Sequence, residues 1–259
     1  MFCINTFSIS NFQLAVQALS QELAALRDKD DTVAFSNVTS TVFNEVMTSL
    51  DIEQVAAPWQ NRPPCPQCDM TFEWGAAKED NTENRKGYMA YLKELGFPDS
   101  VCLFDALNAK ELLETDLPPT KPRMKGSIGV VVLAAHNPNI STAKHSILMG
   151  IELKKDKNQE QDKIQKQAVL QHCAASRLNH TTGVLTLMTD LNDRWHFYWF
   201  KQESRHLMKL EASRSEAVYL IKHFLDDPSE NDSFPESFLT RAPWDSILGS
   251  MSGEMKSSG

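Results

Sequence analysis

The run Ser146-Ile147-Leu148-Met149-Gly150-Ile151-Glu152-Leu153-Lys154 sets the reading of the fold. Ile147, Leu148, Met149 and Ile151 put four large apolar residues into five positions, which predicts a buried strand rather than a surface one. Side chains alternate along a strand, so Glu152 and Lys154 at its end project from the same face. A carboxylate beside an amine at a strand terminus is suited to holding a divalent metal and steering a water. The first chemistry this suggests is phosphodiester hydrolysis.

Outward from that strand, elements alternate in type. Val101–Leu107, Glu111–Leu117 and Ser127–Ala135 read as strands before it, separated by Pro118-Pro119 and followed by an Asn137-Pro138-Asn139 turn signal. A helix is expected from about Gln159 to Leu178, with Leu170, Cys173, Ala174 and Leu178 on one face. Gly183–Leu191 and Arg194–Lys201 flank Asn192-Asp193 and predict a hairpin. A last helix over Arg214–Leu225 carries Ala217, Leu220, Ile221, Phe224 and Leu225 at helical spacing. The order predicts an α/β fold: a mixed central sheet flanked by helices, with a helical and irregular N-terminal region.

The N-terminal part is less regular. Phe12, Val16, Leu19, Leu23 and Leu26 are spaced as an amphipathic helix, either packing on the domain or forming a short homodimer seam. A second helix is expected from Ser40 to Leu50, with Phe43, Val46 and Leu50 inward and Glu45 near its edge. Pro58, Pro63, Pro64 and Pro66, then a polar run from Lys78 to Lys86, read as irregular connection. The organisation is therefore a helical region over 1–55, a linker over 56–98, an α/β domain over 99–226 and a mobile tail over 227–259.

Composition narrows the function classes. At 259 residues the chain can bury one sizeable core, and no apolar run is long enough to span a membrane. The net charge of −8 argues against tight non-specific binding to nucleic acid, although a local basic groove stays compatible with it. Five cysteines do not suggest a disulfide framework, and Met1-Phe2-Cys3-Ile4-Asn5-Thr6 lacks the basic start and apolar core of a secretory signal. The expected place of action is inside a cell.

A nuclease built on the strand end would need carboxylates for Mg²⁺, a metal-activated water and a lysine to support developing charge. Glu152, the Leu153 carbonyl and Lys154 supply candidates for these parts. The Glu-x-Lys spacing alone is weak, since Glu254-Met255-Lys256 repeats it in the tail. The apolar strand before the first copy and the amphipathic helix after it set that copy apart. Lys155, Lys157, Lys163 and Lys166 read either as a phosphate path or as a wet helix face diluted by Asp156, Glu160 and Asp162.

The order around Glu152 resembles the core of the PD-(D/E)XK nuclease-like superfamily. Further motifs are Gln167-Ala168-Val169-Leu170-Gln171 with Ala174-Ala175-Ser176, and Leu187-Met188-Thr189-Asp190-Leu191-Asn192 with Trp195-His196-Phe197-Tyr198-Trp199-Phe200. These resemble the C-terminal domains of Crinkler-type effectors, the host-directed proteins of oomycetes and some fungi. The resemblance covers roughly residues 100–226 and implies a restriction-endonuclease-like core. It also implies a secreted effector acting in the host cell, commonly its nucleus, on host protein or nucleic acid, with no membrane partner. The resemblance makes Glu152, Lys154 and Gln167 the candidate catalytic residues. Glu152 and Glu45 become candidate ligands for Mg²⁺.

One position departs from the family pattern. A metal-binding aspartate is expected early in the preceding strand, and Gly126-Ser127-Ile128-Gly129-Val130-Val131 places Gly129 there. Glu114 or Asp116 would have to reach across in its stead. The alternative is a degenerate site on a fold that binds protein or nucleic acid.

Three other features have plainer readings beside their sharper ones. Cys65-Pro66-Gln67-Cys68 has zinc-knuckle spacing but supplies half a tetrahedral site, which Cys102 or a histidine would need to complete; free loop thiols are the other reading. Trp195, Phe197 and Trp199 share one strand face with His196, Tyr198 and Phe200 on the other, as expected of a strand buried on both sides, though also usable for base stacking. His136 and His145 bracket a loop near the site, placed either to assist a metal or simply at the surface.

Overall fold

The structure is a computed structural model that describes residues 32–59, 62, 64–117, 123–134, 143–155, 161–179, 183–201 and 204–226. The expected helix over 12–26 with its dimer seam, His136, Lys157 and the tail lie outside the described residues.

Among the described residues, nine strands and four α-helices follow in chain order. They are β1 (Thr32–Ala34), α1 (Ser40–Ser49), β2 (Glu53–Ala56), α2 (Thr82–Glu94), β3 (Cys102–Asp105), β4 (Arg123–Lys125) and β5 (Val130–Leu133). After these come β6 (Ile147–Leu153), α3 (Gln161–Leu178), β7 (Leu185–Thr189), β8 (Trp195–Phe200), β9 (His206–Ala212) and α4 (Arg214–Asp226). Seven strands form one sheet in the order β2-β9-β8-β7-β6-β5-β3, and β1 pairs with β4 in a separate two-stranded ribbon. The sheet is mixed: β6 runs parallel to β7 and β2 to β9, while the other neighbours are antiparallel.

The opening strand is β6, and all seven of its residues are buried. A strand in mid-sheet has apolar layers on both faces, so its sequence cannot alternate with polar residues. One layer contains Phe43 and Val46 of α1, Ile164 and Val169 of α3, and Tyr198 and Phe200 of the sheet. The other contains Tyr88 and Leu92 of α2, Leu220 and Phe224 of α4, and Trp195, Phe197 and Trp199. The sheet is thus sandwiched between α1 with α3 and α2 with α4. The two-sided burial of β8 is what its aromatic run predicts, and each fully buried aromatic contributes about 2–3 kcal/mol.

Several expectations need correction. Glu111–Leu117 is not a strand but a set of turns with one bridge, Thr115 to Met124. Its apolar residues Leu112, Leu113 and Leu117 are fully buried, which explains why the segment looked like core. The linker over 56–98 contains α2, capped by the Asn81 side chain accepting the Glu83 N–H at 2.9 Å. This helix has only Tyr88, Tyr91 and Leu92 as a buried apolar stripe, so its polar remainder hid it. Strand β2 straddles the boundary drawn at residue 55 and joins the edge of the main sheet.

Candidate functional site

Glu152 sits at the C-terminal end of β6 with 5 % of its surface exposed. The βαβ crossover from β6 through α3 to β7 places α3 directly above it. Gln167 and Gln171 are one helical turn apart and so share a face. Gln167 donates from Nε2 to Glu152 Oε1 at 2.9 Å, and Gln171 donates from Nε2 to Glu152 Oε2 at 3.0 Å. Lys154, two residues on and on the same strand face, sets its ammonium 2.9 Å from Glu152 Oε1. The Lys154 backbone is fixed in turn, its N–H donating to the Thr189 carbonyl at 3.0 Å.

Burial disfavours the Lys154 charge, but Glu152 beside it and Glu79 beyond more than offset this, holding its pKa above the ordinary lysine value. Lys154 thus stays charged throughout the neutral range. Tyr88 of α2, buried beside the site, is pushed up to about 12, first by burial and then by Asp105; Arg85 opposes the shift. Arg85 is bound to Asp105 through Nε at 3.0 Å and through a terminal nitrogen at 2.6 Å.

The site opens into a cleft of about 520 Å³. Glu152, Lys154, Gln167 and Gly129 all line it. The antiparallel register Val130 to Ile151 places Gly129 next to Glu152 across the ladder. A side chain there is crowded, because a Cβ at Gly129 would lie 3.1 Å from the Ile151 carbonyl oxygen.

Other expected members of the site are elsewhere. Glu45 is exposed on α1 and is not among the residues lining the cleft. Glu114 and Asp116 face Arg123, at 3.2 and 3.8 Å, rather than reaching the strand end. Lys155 holds the Ala77 carbonyl at 3.0 Å, and Lys166 is engaged by Asp162 and by the Ser40 hydroxyl. Those two lysines do not form a phosphate path. The cleft's remaining lysines are Lys110 and Lys125, which no spacing signal singled out. Gln171 was missed as a Glu152 partner, although its i,i+4 spacing from Gln167 was a usable signal. His145 is spent on the Leu178 carbonyl, with Nδ1 at 2.9 Å.

The donor set does not fit the Mg²⁺ that the resemblance implies. Mg²⁺ requires near-octahedral oxygen ligation, usually with more than one carboxylate nearby. Here both Glu152 oxygens already accept N–H bonds, and its cross-strand neighbour Gly129 offers no side-chain oxygen. Among the described residues no group of three or more His, Cys, Asp or Glu is arranged to hold a metal ion, and this includes the surroundings of Cys65, Cys68 and Cys102. Nor is any described helix long and apolar enough to cross a membrane.

Comparison with protein-family models, with curated proteins and with solved structures finds no match to this chain.

Proposed function

We propose that the chain is a nuclease-like α/β module whose strand-end acid has become a structural anion, and whose cleft binds protein in a host cell, in keeping with the Crinkler-type resemblance. The single observation that carries this reading is that both Glu152 oxygens are engaged, Oε1 by Lys154 and Gln167 and Oε2 by Gln171, with Gly129 as its cross-strand neighbour. A carboxylate held in this way orders the end of β6 and keeps Lys154 charged, with a nitrogen donor already on each oxygen. Protein is the better partner than nucleic acid because the chain carries a net charge of −8 and the cleft itself contains Glu79 and Asp80.

The second reading is Mg²⁺-dependent phosphodiester cleavage. It is favoured by the juxtaposition of Glu152, Lys154 and Gln167 on an open cleft. Purified protein, Glu152→Ala and Lys154→Ala would be incubated with duplex DNA or RNA in Mg²⁺ or Mn²⁺. The binding-module reading expects the same background cleavage in all three. Cleavage by the parent chain that both substitutions abolish would replace it with the nuclease reading.

A further inference from the structure

The charges lining the cleft arrive from opposite layers of the fold. Lys125 ends β4, next to Met124, and Lys110 follows Ala109; both neighbours pack with the α1 and α3 layer. Glu79 and Asp80 lie just ahead of α2, whose Tyr88 and Leu92 pack in the other layer. Between them lies the strand end, where Glu152 and Lys154 neutralise each other. Lys110, Lys125 and Asp80 are exposed and have no carboxylate or ammonium partner among the described residues. Glu79 is half-buried, accepting weakly from the Lys155 N–H at 3.4 Å and adding its field to Lys154.

The acidic side of the cleft is itself held in place. The Asn84 side chain accepts the Gly75 N–H at 2.8 Å and donates to the Ala77 and Lys78 carbonyls at 3.0 and 2.9 Å. Asn192 grips the same strap further back, accepting the Phe72 N–H at 2.9 Å and donating to the Phe72 carbonyl at 2.9 Å. Glu79 and Asp80 therefore belong to a fixed wall of the cleft and not to a loose loop beside it.

From this arrangement we infer that the cleft recognises a protein segment carrying acidic and basic side chains in tandem, the acid on Lys110 and Lys125 and the base on Glu79 and Asp80. This rests on the protein-binding reading above. A uniformly anionic ligand such as a nucleic-acid backbone meets the Glu79 and Asp80 carboxylates here, and a uniformly basic one meets Lys110 and Lys125. Juxtaposed like charges select against the wrong partner more strongly than the matching pairs add affinity.

The test uses fluorescence anisotropy on the full chain at low ionic strength. The probes are labelled peptides Glu-Glu-Gly-Gly-Arg-Arg and its reverse, all-Glu and all-Arg hexapeptides, and a single-stranded DNA oligonucleotide. One mixed order is expected to bind about tenfold tighter than either homopolymer or the DNA. Lys110→Glu with Lys125→Glu is expected to shift preference to the all-Arg peptide, and Glu79→Lys with Asp80→Lys to the all-Glu peptide. Equal binding of mixed and uniform peptides, tighter binding of the DNA, absence of peptide binding, or unchanged preference in the charge-reversed variants would each overturn the inference. The cleavage comparison is read separately, so the cleft's ligand class can fail while the non-catalytic reading stands.

Discussion

Gly129 and Glu152 are neighbours where the antiparallel β5–β6 ladder ends, and the only side chains on the Glu152 carboxylate among the described residues are the nitrogen donors Lys154, Gln167 and Gln171. Gly129→Asp puts a Cβ 3.1 Å from the Ile151 carbonyl and a second carboxylate beside the first. We expect a loss of about 1–3 kcal/mol from crowding and no gain of nuclease activity. Thermal melts and a plasmid-cleavage assay check both halves, and Mg²⁺-dependent cleavage by this variant would contradict the account.

Removing one member of the strand-end pair should cost more than removing both. Glu152→Ala leaves the Lys154 ammonium without its partner in a largely buried setting, and a loss of about 3 kcal/mol follows if the broken pair behaves as buried pairs usually do. The double variant Glu152→Leu, Lys154→Met should recover part of that loss. Urea denaturation of the three proteins gives the comparison.

The same pair has an alkaline signature. Lys154 has a folded pKa raised above its ordinary value of 10.5, because Glu152 and Glu79 outweigh its desolvation. Its contribution is therefore complete below about pH 10.5 and is lost as pH rises through the folded value. The stability difference between the parent chain and Lys154→Met should be flat from neutral pH to about 10 and should shrink above it.

His172 gives the opposite, acidic signature. It is a fully buried residue of α3, with Nδ1 3.0 Å from the Thr186 hydroxyl, and burial lowers its pKa from 6.5 to about 3. Its neutral form stabilises the fold above the unfolded value, and that stability drains away as pH falls from about 6.5 toward 3. The slope should be about 1.4 kcal/mol per pH unit. Chemical denaturation between pH 7 and pH 4 should show this slope in the parent chain and a weaker one in His172→Gln.

Asn192 mimics a backbone partner for Phe72 by both donating and accepting, so Asn192→Ala strands an N–H and a carbonyl together. A cost of about 1–3 kcal/mol is expected. Hydrogen exchange should accelerate at residues 70–80 more than in β7 or β8. Uniform acceleration across the sheet would show that the side chain supports the hairpin globally rather than latching the strap.

What could be read in advance depended on how much of each element's sequence is spent on burial. β6, α3, β7, β8 and α4 bury mostly apolar residues, and their positions were legible to within a few residues. β1, β2 and β4 are three or four residues long, too short for any period to develop. α2 presents a narrow stripe, and Leu112 and Leu113 are buried without belonging to a strand. At the site, Glu152 and Lys154 were visible because they share one face at a strand end, while Gln167 was expected only from the resemblance. Lys110, Lys125, Glu79 and Asp80 come from separate segments that only the tertiary fold unites, and no spacing rule links them.

The pairing of Glu53 with His206 joins two strands with most of the described chain between them. During synthesis, β2 emerges early and has nowhere to lie until β9 follows, so the sheet's edge is among the last parts to form. A fragment begun at residue 99, at the start of the segment that looks like a complete α/β domain, would lack that strand. It would expose the ladder groups of β9, a template for pairing with other chains. Solubility during expression would then depend on four residues that look, in the linear sequence, like a connection.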